Sequence, residues 1–184
     1  MNIFKFIIVL TTSMIASLPV FSSENDTTII GDVEMPEVQH SNAFNQVKKM
    51  IGKWEGKQTQ YTGNVIDVSY NFRSLSGGNT ITENLVEDGV EMLTTYSDKD
   101  GELVVKHYCA LGTEPIFKVT EVTNKVLSVE LDKSASDYHP DHHSFVNSMK
   151  WTINSDSPSS ATLESGIYLD GVLRVAKSKL NKVH

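Results

Sequence analysis

The sequence predicts an all-β protein of about ten antiparallel strands in up-and-down order, closed into a barrel and preceded by one short helix. Three observations carry this. From Gly52 onward apolar residues recur with period two. Turn signals interrupt that pattern roughly every eight to twelve residues. Only one connection, Lys133 to His143, is long enough to interrupt the ladder.

Composition bounds the rest. The 184 residues are 39% hydrophobic and 21% charged, enough for one core of moderate size and too little for two comfortable domains. A net charge of -7 and a pI near 5.3 argue against nucleic acid as a partner, which selects a basic footprint. A single cysteine, Cys109, leaves no internal disulfide and no multi-cysteine metal centre.

Residues 1–22, MNIFKFIIVLTTSMIASLPVFS, place Lys5 before an apolar stretch that runs from Phe6 to about Val20. Val20-Phe21-Ser22 then supplies a cleavage-like end. This is the layout of a secretory signal peptide. The run is near the lower limit for a spanning helix, and Thr11, Thr12 and Ser13 interrupt it. Export to the periplasm or the extracellular space is therefore expected, with no stable membrane anchor after cleavage. No cysteine near the cut offers a lipid attachment point. Residues 23–40 carry Glu24, Asp26, Asp32, Glu34 and Glu37 without a base, and read as a mobile acidic leader. Asn25-Asp26-Thr27 fits a glycosylation sequon, a three-residue match of little weight. Residues 41–184 form the single barrel domain.

Ser41 is the expected N-cap of the helix, with Phe44, Val47 and Ile51 on one face and Gly52 ending it. Strands are expected near 53–61, 64–74, 79–87, 90–97, 102–110, 115–123, 126–132, 144–154, 161–169 and 172–180. Asp88-Gly89, Asp100-Gly101 and Asp170-Gly171 are among the turns between them. Closure removes exposed sheet edges, which favours a barrel over the alternative of a β-sandwich. Ile66, Val68, Tyr70 and Phe72 share an inward face, as do Leu127, Val129 and Leu131. So, by parity, do Phe145, Met149, Trp151 and Ile153.

Gly52-Lys53-Trp54, at the junction of helix and first strand, resembles the Gly-x-Trp signature of the lipocalins and the wider calycin group. Glu91-Met92-Leu93-Thr94-Thr95-Tyr96, His107-Tyr108-Cys109-Ala110 and Asp141-His142-His143-Ser144 resemble a secreted bacterial family of unknown function with lipocalin-like or nitrobindin-like barrels. The resemblance spans roughly Phe44 to Lys179. It implies a calycin-like fold, an exported protein and a Trp54 that plugs one barrel end. It supplies no reaction, and no haem ligand is carried over from it.

Candidate chemistry follows from strand parity. Lys106 places its neighbours His107 and Cys109 on the inward face. His143 has the parity of Phe145 and Trp151, so it should open an inward row. His107, late in one strand, and His143, opening another of opposite direction, would then meet at one barrel mouth. With His139 or His142 they would make a metal or haem site; otherwise His107 is a bonded core histidine above a solvent-facing loop. Cys109 reads as a small buried hydrophobe. Glu83 shares the inward face of Ile81 and Leu85, so it must be paired or protonated. Trp54 and Trp151 read first as core plugs.

Four functions are compatible with these residues. The leading one is a barrel binding a small, largely apolar molecule, with Glu83, His107, Tyr70 and Trp151 as candidate ligand-binding residues. That reading expects no cofactor. The second binds haem or a transition metal through His107, His143, His139 and His142. The third is a small-barrel enzyme using Glu83 and His107, although no nucleophile elbow, phosphate loop or His-Glu-x-x-His motif is present. The fourth has a lumen filled by side chains and acts through its surface. The sequence leaves the oligomeric state open.

Overall fold

The computed structural model describes residues 28–154 and 157–183. The signal-like segment 1–22, the sequon and the first residues of the leader lie outside them. The chain divides into two units, Met1–Pro36 and Glu37–His184. In the first, β1 (Ile29–Ile30) pairs antiparallel with β2 (Val33–Glu34), so the described part of the leader carries a small hairpin.

The second unit holds α1 (Asn42–Lys48) and ten strands: β3 (Gly52–Thr59), β4 (Val65–Leu75), β5 (Thr80–Glu87), β6 (Val90–Lys99), β7 (Glu102–Tyr108), β8 (Ile116–Val122), β9 (Val126–Leu131), β10 (Phe145–Ile153), β11 (Ser160–Leu169) and β12 (Val172–Val183). Each pairs antiparallel with its sequence neighbour, and β12 pairs with β3 to close the barrel. The sandwich alternative is thereby set aside. Asp88-Gly89, Asp100-Gly101 and Asp170-Gly171 all hold positive φ at both positions. That matches the twist demanded by two-residue hairpins.

The helix begins where Ser41 caps it: the Ser41 hydroxyl accepts from Phe44 N–H at 3.0 Å and donates to Asp98 Oδ1 at 2.8 Å. Ser41 N–H bonds the other Asp98 oxygen at 2.6 Å, which ties the start of α1 to the end of β6. His40, assigned above to the leader, belongs with the barrel unit, where its ring stacks on Phe44 at 4.4 Å. Beyond α1, Trp54 is fully buried and donates Nε1–H to the Met50 carbonyl at 2.7 Å. The tryptophan of the Gly-x-Trp signature is thus buried and anchored just past the helix.

One parity expectation fails, and a bulge explains it. In β10 the register against β11 shifts between Val146 and Ser148. Asn147 is the extra residue, so inward and outward faces exchange there. Val146, with its partner Ile167, packs against the core, and so do Met149, Trp151 and Ile153. Phe145 instead lies on the outer side, its ring against Tyr138 and Tyr168.

Candidate functional site

The same bulge turns His143 outward. It is exposed, as are His139 and His142. Its Nδ1 accepts from His139 N–H at 3.2 Å, and its ring meets Tyr138 edge-on at 5.5 Å. His139 Nε2 faces Asp137 on the exposed loop. His107 is buried, so the four histidines do not converge and the shared mouth site is not formed. Among the described residues no group of three or more His, Cys, Asp or Glu is arranged to hold a metal.

The lumen holds a different polar constellation. Four adjacent strands present Phe72, Glu83, Thr94 and His107 in one transverse row, because Phe72 pairs with Glu83, Glu83 with Thr94 and Thr94 with His107. Period two puts all four inside. Glu83 is 1% exposed. The Tyr96 hydroxyl, one step diagonal on β6, donates to Glu83 Oε2, and the Thr94 hydroxyl, directly opposite on β6, acts on the same carboxyl. Thr94 Oγ1 lies 3.0 Å from His107 Nδ1. Tyr96–Glu83 and Thr94–His107 thus form two hydrogen-bonded pairs side by side in an apolar interior.

Burial dominates the electrostatics of these pairs. It pushes the Glu83 carboxyl up to about 7, against the lowering effect of Tyr96 and Thr94; the Glu87 charge adds a further rise. Burial alone lowers His107 to about 4, so the imidazole is neutral. Burial and then the Glu83 charge hold the Tyr96 hydroxyl well above its ordinary range.

A second polar group sits towards the opposite end from α1. Glu87, half-buried and four residues beyond Glu83 on β5, accepts from Gln58 Nε2 at 2.8 Å and from the Tyr70 hydroxyl at 3.4 Å. Tyr70 Oη also lies 3.4 Å from Ser178 Oγ. Burial raises Glu87, opposed by its bonds to Gln58 and Tyr70. Burial first, and Glu87 next, raise Tyr70. Cys109 is half-buried, and burial pushes its thiol up.

Sequence reasoning placed Glu83, His107, Tyr70 and Trp151 inside, and all four are there. It missed Gln58, Glu87, Thr94, Tyr96 and Ser178. Each had a signal: Glu87 has the parity of Glu83, and Thr94 and Tyr96 stand two apart on one strand. Parity names an inward residue, whereas only the cross-strand register shows which of them bond.

Aromatic rings fill the space between the two polar groups. Trp151 meets Tyr70 edge-on at 5.2 Å and Phe72 at 5.4 Å, and Phe72 lies 6.1 Å from Tyr96. Between these rings and α1 remains a cavity of about 10 Å³, bounded by Gln46, Val47 and Met50 on the α1 side. That is room for about one water. Trp151 is 3% exposed, yet its indole N–H makes no hydrogen bond. The indole N–H acts on the Tyr96 oxygen and lowers that phenol, but from outside hydrogen-bond geometry.

No family model matches the chain, and no curated protein matches it. Solved structures do. A protein of unknown function of the DUF3598 family from Nostoc punctiforme PCC 73102 superposes with a TM-score of 0.53 at 8% identity, over 81% of this chain and 51% of that one. The chain therefore spans about half the length of that protein, and the likeness shows the barrel fold alone. A redesigned β-barrel matches with a TM-score of 0.39 at 13% identity, over 80% of this chain and 100% of that one. Another, mFAP1 bound to DFHBI, matches with 0.36 at 17%, over 77% and 100%.

Proposed function

We propose that this chain is an exported, calycin-like barrel that binds a small, largely apolar molecule at the end of the lumen covered by α1. The observation that carries the reading is the adjacent Tyr96–Glu83 and Thr94–His107 pairs buried inside a wall of aromatic rings. A core selected for stability alone gains little from such groups, since apolar side chains of equal volume serve as well or better. Apolar surroundings with a few fixed polar groups are the make-up of a small-molecule site. Side chains already occupy most of the described lumen, so binding requires α1 to shift and its apolar residues to yield their place.

The test is native mass spectrometry of the protein purified from its own host. A reproducible added mass that disappears on denaturation supports the reading; bare protein favours action through the surface. Intact mass also tests export, with the mature chain expected to start near Ser23.

One observation keeps the haem or metal reading as the second. His107 Nε2 makes no hydrogen bond, while Nδ1 is fixed by Thr94. A visible absorption spectrum of the same preparation separates the two readings.

A further inference from the structure

The geometry points to the cavity beneath α1 as the subsite for the polar end of the ligand, and to a neutral hydrogen-bond acceptor, such as a ketone or ester carbonyl, as that end. The inference rests on the ligand-binding reading and specifies its chemistry.

The cavity is mostly apolar and holds an unmet donor. Trp151 Nε1–H is buried without an acceptor. Gln46, 4% exposed, also lines the cavity, and its carbonyl oxygen is already taken by Lys49 Nζ at 2.7 Å. The Tyr96 proton is committed to Glu83. A buried donor without an acceptor carries an unrecovered desolvation penalty, which a correctly placed oxygen removes.

Charge decides which oxygen. The residues lining the cavity include no cation. Lys49 spends its ammonium on Gln46 and on the Asn124 carbonyl at 3.2 Å, and the Glu83 carboxyl stands behind Tyr96. A carboxylate entering here would lose its hydration and meet no opposite charge, whereas a neutral carbonyl loses much less. The space accommodates an oxygen atom as it stands, and the carbon chain enters where Val47 and Met50 now pack. The polar ties of α1 and its flanks are the Asp98–Ser41 pair, the Lys48–His40–Asn79 bonds, the Lys49–Asn124 bond and the Trp54–Met50 bond. Phe44 and Val47 pack beneath the helix.

The experiment uses the two tryptophans as reporters. In ¹⁵N-labelled protein they give two indole signals, assigned with Trp151→Phe. The protein is titrated with 2-octanone, octane and octanoate. The expected result is that 2-octanone moves the Trp151 indole signal and binds about tenfold tighter than octane. In Trp151→Phe, checked for an unchanged melting transition, octane still binds and the ketone loses its advantage. Equal binding of ketone and octane, or a Trp151 signal that stays still while the ketone binds, overturns the inference and leaves the ligand-binding reading intact. Octanoate binding tighter than the ketone overturns the neutral acceptor. Failure of all three probes overturns this subsite, while an added mass on protein from its own host would still uphold the broader reading.

Discussion

Tyr96 and Glu83 satisfy each other. The phenol on β6 donates to the carboxyl on β5, and both side chains are almost wholly out of reach of solvent. The register fixes this diagonal, since Ile81 is the residue opposite Tyr96 and Thr94 is opposite Glu83. Neither group has water to fall back on, so each depends on the other.

Glu83→Ala is therefore expected to destabilise the fold by more than loss of side-chain volume alone. It strands the Tyr96 hydroxyl, at about 1–3 kcal/mol for the unsatisfied group. Glu83→Gln keeps an acceptor oxygen in place and should cost less. Urea unfolding of the two variants checks the order; an equal cost for both would show that the bonds contribute nothing beyond packing.

Much of this interior was legible in the sequence, for one reason. Side-chain direction in a strand alternates with period two, so Lys106 outside places His107 inside, and Ile81 and Leu85 place Glu83. All ten barrel strands were legible through the same period, and the helix through its Ser41 cap and the spacing of Phe44 and Val47, although Ile51, expected on that face, is exposed. The error at His143 comes from the one thing alternation does not encode. The extra residue in β10 has no composition of its own; it shows only against β11. The cross-strand bonds were hidden for a related reason, because they depend on register. The cavity under α1, with its unmet Trp151 donor, depends on how a helix and four strands meet, which local pattern does not specify.

Ser41 is predicted to govern how tightly α1 covers the lumen. Its hydroxyl caps the helix at Phe44 and also reaches Asp98. Ser41→Ala should lose about 0.5–2 kcal/mol, the usual cost of an N-cap. If α1 is a cover, the same variant should bind 2-octanone faster than the parent protein, which stopped-flow tryptophan fluorescence would record. An unchanged on-rate alongside the stability loss would mean that α1 is structural only.

Gly56 should tolerate no side chain. A Cβ built there lies 1.9 Å from the Lys179 carbonyl oxygen of β12, a backbone atom held in the ladder. Gly56→Ala must push β3 away from β12 at the seam that closes the barrel, at a cost of about 1–3 kcal/mol or more. At Gly166 the added Cβ meets the Ser148 hydroxyl at 2.5 Å, and a side-chain rotation relieves part of that clash. Thermal melts should rank Gly56→Ala well below Gly166→Ala. The reverse order would mean that the β3–β12 contact is looser than the structure has it.

The pH dependence of stability should show two buried groups working against each other. Glu83 rises from an ordinary 4.5 to about 7 on folding, so the folded state holds the extra proton between those values. Its contribution is fully present below about 4.5 and is lost as pH rises towards 7. His107 falls from 6.5 to about 4, so in that window the unfolded state holds the extra proton. Its contribution is fully present above 6.5 and is lost as pH falls towards 4. Each slope approaches about 1.4 kcal/mol per pH unit, with opposite signs. Between roughly 4.5 and 6.5 the two largely cancel. Glu87, also raised by burial, adds to the Glu83 direction. Single substitutions should uncover the hidden slopes: stability rises with pH in Glu83→Gln and falls with pH in His107→Gln. Urea midpoints at pH 5, 6 and 7 would measure this, and parallel profiles for the parent and both variants would mean that neither group titrates as its burial demands.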